Sequence, residues 1–474
     1  MLDACELSAQ LHARTLSCRE VMRAYLDRID ALNPGCNAIV SLQPRETLMA
    51  QADARDAQLA QGQSLGWMHG FPMAIKDMAA TAGILSTSGS LLLADHVPAE
   101  DGLMVARMKA AGGIVIGKTN TPEFGLGSHT YNTVFGITRN AYDRSKSAGG
   151  SSGGAAVSLA LRLQPVADGS DMMGSLRNPA AFNHVFGFRP SAGRVPAGPP
   201  GDQFVSQLGT EGPMGRTVAD VAMLLSVQAG RDARAPLSIA EGGEGFARAL
   251  APPPRGLRIG WLGNLDGYLA VEPGILELCE QGLRRLEGLG CVVEPTTLGY
   301  PPEQVWQTWL TWRRWLVAGR LAPYSADPRS RRLLKPEARW EADQGQGLTG
   351  PQIYAASLER TGFYQHLLGR FEQYDVLVLP TAQVWPFNAG LDWPKSINGR
   401  VMDTYHRWME VVIYATLGGL PAISVPLGFG MQGLPMGMQL MGPPQADLAV
   451  LQLARAYELA GPANAAMRPQ GEAS

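Results

Sequence analysis

The chain has 474 residues, 45% of them hydrophobic, and its 40 lysines and arginines against 42 aspartates and glutamates give a formal net charge of −2. At roughly 150 residues per domain, this length suggests about three domains or one large α/β unit, either able to bury a core without disulfides or metals. The balanced charge excludes the clustered basic face of a nucleic-acid binder, and five cysteines with no CxxC spacing argue against a zinc ribbon or disulfide framework and fit a reducing compartment.

The amino terminus, MLDACELSAQ, has neither a basic n-region nor an apolar h-region, so no signal peptide is expected and the cytoplasm is the expected location. A helix is predicted from Ser17, where Ser17 and Glu20 make a capping box. Met22, Tyr25, Leu26, Ile29 and Leu32 keep helical spacing until Asn33-Pro34-Gly35 stops it. A strand near 38–42 follows, then a helix over 50–60 ending at Gly62, a strand over 71–75, a helix end at 105–111 and a short buried strand over 113–117. Helices are predicted over 155–163 and, capped by Thr217, over 217–229. A polar connector rich in proline and glycine covers 231–255. Strands near 257–262 and 375–379 are apolar on both faces, as in parallel sheets covered by helices. Alternating strand and helix signals indicate an α/β fold. The segment 301–400 is more irregular, holds most of the tryptophans, and is expected to cap one rim of the sheet. The uncharged stretch 411–444 is broken by glycines and prolines such as Gly418, Gly419, Pro421 and Pro426, which reads as buried strands and turns rather than a membrane span.

Three patterns suggest chemistry. Gly112 to Thr119 matches the phosphate-loop spacing GxxxxGK[ST], but Ile114-Val115-Ile116 reads as the strand itself, so nucleotide binding is not expected. Gly149-Gly150-Ser151-Ser152-Gly153-Gly154 satisfies GxSxG twice. A nucleophile elbow needs an apolar strand before it, and 142–147 is polar. It also needs a histidine, and His184, His366 and His406 lack distinctive flanks. A histidine-dependent esterase of the α/β-hydrolase type stays as an alternative. A lysine serves as base only if burial keeps it neutral, and Lys76, closing the apolar run Phe71-Pro-Met-Ala-Ile75, is the best candidate. An ion-paired strand end is its plainer reading.

Gly70-Phe-Pro-Met-Ala-Ile-Lys76-Asp77, the GGSSGG run and Gly169-Ser-Asp171-Met-Met-Gly174-Ser175-Leu-Arg177 together resemble the amidase signature family. The likeness extends through Gly117-Lys-Thr-Asn-Thr-Pro-Glu-Phe124, Gly187-Phe-Arg-Pro190, Gly212-Pro-Met-Gly-Arg216, Leu420-Pro-Ala-Ile-Ser-Val-Pro426 and Leu434-Pro-Met-Gly-Met-Gln439, in order along essentially the whole chain. The resemblance implies one α/β/α domain over 1–474, with a mixed, mostly parallel central sheet covered by helices on both faces and 301–400 as a variable cap. It implies an amide hydrolase in which Ser175 is the nucleophile, Ser151 the bridging serine and Lys76 the ultimate base, with a cis peptide bond at Gly150–Ser151. The backbone N–H groups of Met172, Met173, Gly174 and Ser175 would hold the oxyanion, with Gly150, Ser152 and an Asp171–Arg177 ion pair shaping the loops. The family usually has Gly-Gly-Ser where this chain has Met173-Gly174-Ser175, so a positive φ at Met173 would be strained. Met172 and Met173 are expected to line the acyl pocket instead.

Trp306, Trp309, Trp312 and Trp315 recur every three residues, which reads either as core packing or as a hydrophobic wall over the entrance. No basic cluster is poised for an acidic substrate. A small neutral, apolar amide is expected, namely an anilide, an aliphatic amide, an oligoamide or a carbamate. No cofactor, metal, nucleic-acid or membrane partner is expected, and the enzyme would be a monomer or homodimer. Two further alternatives are a lapsed scaffold and a glutaminase-like component supplying ammonia to a transamidase, whose usual sequence 193–201 does not resemble.

Overall fold

An eight-stranded sheet organises the computed structural model, which describes residues 1–199, 201–248, 250–461 and 469–470. Across the sheet the strands run Val292–Pro295, Arg258–Trp261, Val376–Pro380, Pro435–Met441, Ala422–Phe429, Phe186–Arg189, Thr210–Gly215 and Ala167–Asp171. The sheet is mixed, as expected. Among the described residues, however, only its first two pairings are parallel and the other five are antiparallel, which corrects the expectation of a mostly parallel sheet. The reason is that strands apolar on both faces report burial, not direction. Ala422–Phe429 and Pro435–Met441 are buried like parallel strands, yet a turn closed by Gly430 N–H donating to Leu434 O (2.9 Å) makes them a hairpin.

A smaller sheet orders Ile39–Val40, Ile114–Thr119 and Pro72–Lys76, the last two parallel with Lys76 opposite Thr119. Lys118 lies inside this buried strand and donates to Ala79 O (2.6 Å) and Thr81 Oγ1 (2.8 Å), as a strand residue rather than a phosphate ligand.

The Ser17 capping box is present, but its helix runs Cys18–Cys36, through Pro34. Pro34 cannot donate to the helix ladder, yet the helix continues two residues past it. The stop comes from Asn33, whose Oδ1 accepts the Ala38 and Ile39 N–H groups (2.9 Å each), and from Asn37 at φ 55°. Residues 301–400 are mainly helical rather than irregular, with helices Pro302–Ser325, Pro328–Leu333, Pro336–Gln346 and Gly350–Gln373 before Val376–Pro380 enters the main sheet. The uncharged stretch supplies the helix Ile413–Leu417 and the hairpin, and no helix among the described residues is long and apolar enough to cross a membrane.

Candidate active site

Every residue of the strand Pro72–Lys76 is buried, so its last side chain enters the interior as a lysine only 1% exposed. The Lys76 N–H donates to the Asp168 carboxylate (3.1 and 3.2 Å), tying this strand to Ala167–Asp171. Lys76 Nζ then lies 2.8 Å from Ser151 Oγ, 2.9 Å from Ser152 Oγ and 3.0 Å from Ser170 Oγ. Among the described residues, three hydroxyls and no ion pair surround it. Burial pulls the Lys76 pKa down to about 7, although Asp168, Asp171 and Glu211 oppose that shift.

Ser151 and Ser152 precede the helix Gly153–Ala160, all of it buried. A Cβ at Gly154 would stand 2.4 Å from Asn120 N, so only glycine lets the loop settle this close to the neighbouring backbone. Ser128 Oγ donates to Gly150 O (2.6 Å) and accepts from Gly150 N–H (3.2 Å), and the Gly150–Ser151 peptide bond is cis.

Ser175 lies on the loop after Ala167–Asp171, and Ser152 N–H donates to its carbonyl (3.2 Å). Asp171 anchors that loop by accepting from Gly174 N–H (2.8 Å), Leu176 N–H (3.3 Å) and both Nε and Nη2 of Arg177 (3.0 Å each). Arg189 pairs with it at 3.4 Å, and all three charged side chains are fully buried. Burial alone would raise the Asp171 pKa, but Arg177 and Arg189 hold it well below the usual carboxylate range. Arg177 also donates to Gln439 Oε1 (2.6 Å) and Val412 O (3.0 Å), bracing the loop against the hairpin and the segment before it. The left-handed residue is Gly174 (φ 76°), where a Cβ would meet Val412 at 2.8 Å, whereas Met173 is not among the residues with positive φ. The chain keeps glycine at the position that needs it, so Met173 escapes the strain that a positive φ would have imposed.

Lys76, Ser151 and Ser175 all border one cavity of about 750 Å³. Its walls are largely apolar, from Phe124, Leu126, Met172, Met173, Trp315 and Leu316. The Amidase family model matches residues 20–451. The chain belongs to the amidase signature family. It is 34% identical to an acylamidase of Rhodococcus erythropolis over 97% of this chain and 96% of that one. It is 32% identical to one component of the glutamyl-tRNA(Gln) amidotransferase of Thermosynechococcus vestitus, covering 96% and 97%. Among solved structures, a bacterial aryl acylamidase of the same family superposes with a TM-score of 0.90 at 32% identity, covering 97% of this chain and 96% of that chain.

In this amidase the tryptophan stripe is corrected. Trp306, Trp309 and Trp312 do not border the cavity; Trp306 and Trp309 are fully buried and Trp312 donates to Ala356 O (3.2 Å). A step of three residues turns a side chain back by about 60° on a helix, so nine residues carry Trp315 to the face opposite Trp306. Only Trp315 of the four reaches the cavity. The histidines are placed elsewhere as well. His184 stacks on Phe429 (4.8 Å), His366 Nε2 pairs with Leu298 O (2.7 Å) and His406 Nδ1 with Thr404 Oγ1 (2.7 Å). No histidine borders the cavity among the described residues, so the esterase alternative lacks its base.

Three residues of this amidase's site were missed at the level of sequence: Asp168, Ser170 and Glu211. The signal was available in the two-residue period of a strand, since Asp168 and Ser170 share one face of Ala167–Asp171 and Glu211 stands directly across from Ser170. Burial raises Asp168 to about 6 and Glu211 to about 7, each against the pull of Lys76.

Proposed function

We propose that this amidase hydrolyses amides with an apolar aryl or alkyl body through an acyl-enzyme on Ser175, activated by Ser151 and neutral Lys76. The observation that carries this reading is a buried lysine, without an ion pair among the described residues and lowered to about 7, with Nζ 2.8 Å from Ser151 in the cavity that Ser175 borders. A neutral amine donates two hydrogens and accepts one. Ser152 Oγ already donates to Ser170 O (3.5 Å), so it accepts from Lys76, and Ser151 is assigned the hydroxyl that donates to the nitrogen lone pair.

An amide carbonyl is a poor electrophile, so Ser175 must lose its proton as it attacks. Lys76 takes a proton from Ser151 while Ser151 takes one from Ser175. The relay then returns a proton to the departing amine, which cannot leave as an anion, and water repeats the sequence on the acyl-enzyme. Gly174 N–H is engaged with Asp171 (2.8 Å), so the oxyanion is assigned to the N–H groups of Met172, Met173 and Ser175. The five cysteines are free among the described residues, which fits the proposed cytoplasmic setting. We also take residues 301–400 as the cap, since Trp315 and Leu316 enter the cavity from it.

Ammonia supply to a transamidase is the second reading, favoured by the likeness to the amidotransferase component. The apolar wall favours an apolar amide over glutamine. A mass-spectrometric panel of anilides, fatty amides, oligoamides, urethanes and glutamine separates the two, with anilide or alkyl-amide cleavage expected and glutamine as sole substrate contradicting the primary reading.

The base must be unprotonated to work. Because burial places Lys76 near 7, kcat/KM should rise about tenfold per pH unit below that value and level off above it. A profile rising only near 10 would mean a solvated lysine.

A further inference from the structure

Glu211 is the second residue of the strand Thr210–Gly215, directly across from Ser170 in the antiparallel pair. Side chains directly opposite one another share a face of the sheet, with Cβ atoms about 5 Å apart. Ser170 Oγ is 3.0 Å from Lys76 Nζ, so the Glu211 side chain stands on the face that meets the amine. It borders the same cavity as Lys76, Ser151 and Ser175, and its carboxyl makes no hydrogen bond or ion pair among the described residues. A carboxyl so placed adds nothing to the fold through the bonds it makes. What it gives the site is charge.

Four charged groups act on Lys76, namely Asp168, Asp171, Glu211 and Arg320. Asp171 is spent on Arg177 and Arg189. Asp168 accepts from the Lys76 N–H and is also drawn on by Lys118. Arg320 has the opposite sign, but it is exposed and donates to Phe124 O (3.1 Å), so solvent screens it. Two further charges border the cavity among the described residues, and both are engaged elsewhere. Arg313 pairs with Glu341, and Asp202 accepts from the Val205 and Ser206 N–H groups of its own loop (2.7 and 2.6 Å). Glu211 is left as the negative charge near the amine that nothing else occupies.

Resting on the reading of Lys76 as base, we propose that Glu211 is a positioning residue for the proton relay, whose charge keeps the amine basic enough to draw the Ser151 proton. A direct ion pair would hold the lysine protonated and idle, whereas a bare apolar pocket would leave it too weak a base. A carboxylate set across Ser170, without a bond to the nitrogen, lies between those extremes. Burial holds Glu211 itself near 7, so its charge is present above that value, where the relay works.

The test uses the full chain and the rate at which a fluorophosphonate labels Ser175 between pH 5 and 9. The serine oxygen bonds to phosphorus, fluoride leaves and the serine proton passes into the relay, so the rate reports the base without any departing amine. Wild-type labelling should rise to a plateau with its midpoint near 7. Glu211→Gln should move that midpoint down by about 0.5–1 pH unit and lower the plateau about two- to threefold, since the weaker base is free at lower pH. Below pH 6 the variant should then label as fast as wild type or faster. Glu211→Asp restores the charge and should return most of the shift. A midpoint that stays in place or rises in Glu211→Gln overturns the assignment, as does an equal loss at every pH that Glu211→Asp shares. Loss of the far-ultraviolet spectrum in Glu211→Gln also overturns it, because the carboxyl would then hold the fold. Each of these leaves the Lys76 reading standing, whereas a wild-type rate with no inflection near 7 overturns both.

Discussion

Replacing Lys76 with methionine should lower kcat/KM by about 10³- to 10⁵-fold while the protein keeps its fold, measured as amide hydrolysis alongside the far-ultraviolet spectrum. Methionine keeps most of the aliphatic stem that fills the end of Pro72–Lys76 and removes only the nitrogen. That nitrogen lies within hydrogen-bond reach of Ser151, Ser152 and Ser170 together, and no histidine borders the cavity among the described residues to replace it as a base. The residual rate would come from the oxyanion donors and from binding. Loss of only a few-fold would mean that Ser175 is activated by something else.

The second large effect falls on stability. Asp171→Ala strands Arg177 and Arg189, both fully buried, without their shared carboxylate, and leaves the Gly174 and Leu176 N–H groups without an acceptor. Breaking a buried ion pair from one side costs about 3–5 kcal/mol, which urea unfolding would read as a lower midpoint. Activity should fall as well, since the same carboxylate sets the course of the loop from Met172 to Ser175. Asp171→Asn should be milder because its amide oxygen still accepts. The pH dependence follows from the sign of the shift. The folded pKa is depressed, so the contribution of Asp171 is complete above the unfolded value of 3.8 and is lost as pH falls toward the lower folded value.

Much of this site is legible in the amino-acid sequence. Lys76 closes an apolar run, and an apolar run that ends in lysine already suggests a desolvated amine. The serine-glycine loop and the Asp171-to-Arg177 segment carry enough residue-specific detail to resemble one family. What the sequence hides is geometry between distant segments. Glu211 lies beside Ser170 only because two antiparallel strands pair in that register. Trp315 rather than Trp306 reaches the cavity because of where the helix Pro302–Ser325 turns its faces. Strand direction is hidden for a related reason, since a hairpin covered by helices is as apolar as a parallel strand.

The central claim is a proton relay, from one hydroxyl through another to an amine that the fold strips of water. A fluorophosphonate probe followed by peptide mass spectrometry tests it most directly, in the wild-type protein and in Lys76→Met. A single adduct on Ser175 that disappears in the variant is the predicted result. An adduct on Ser152, or labelling of Ser175 that persists undiminished without the lysine, would contradict it.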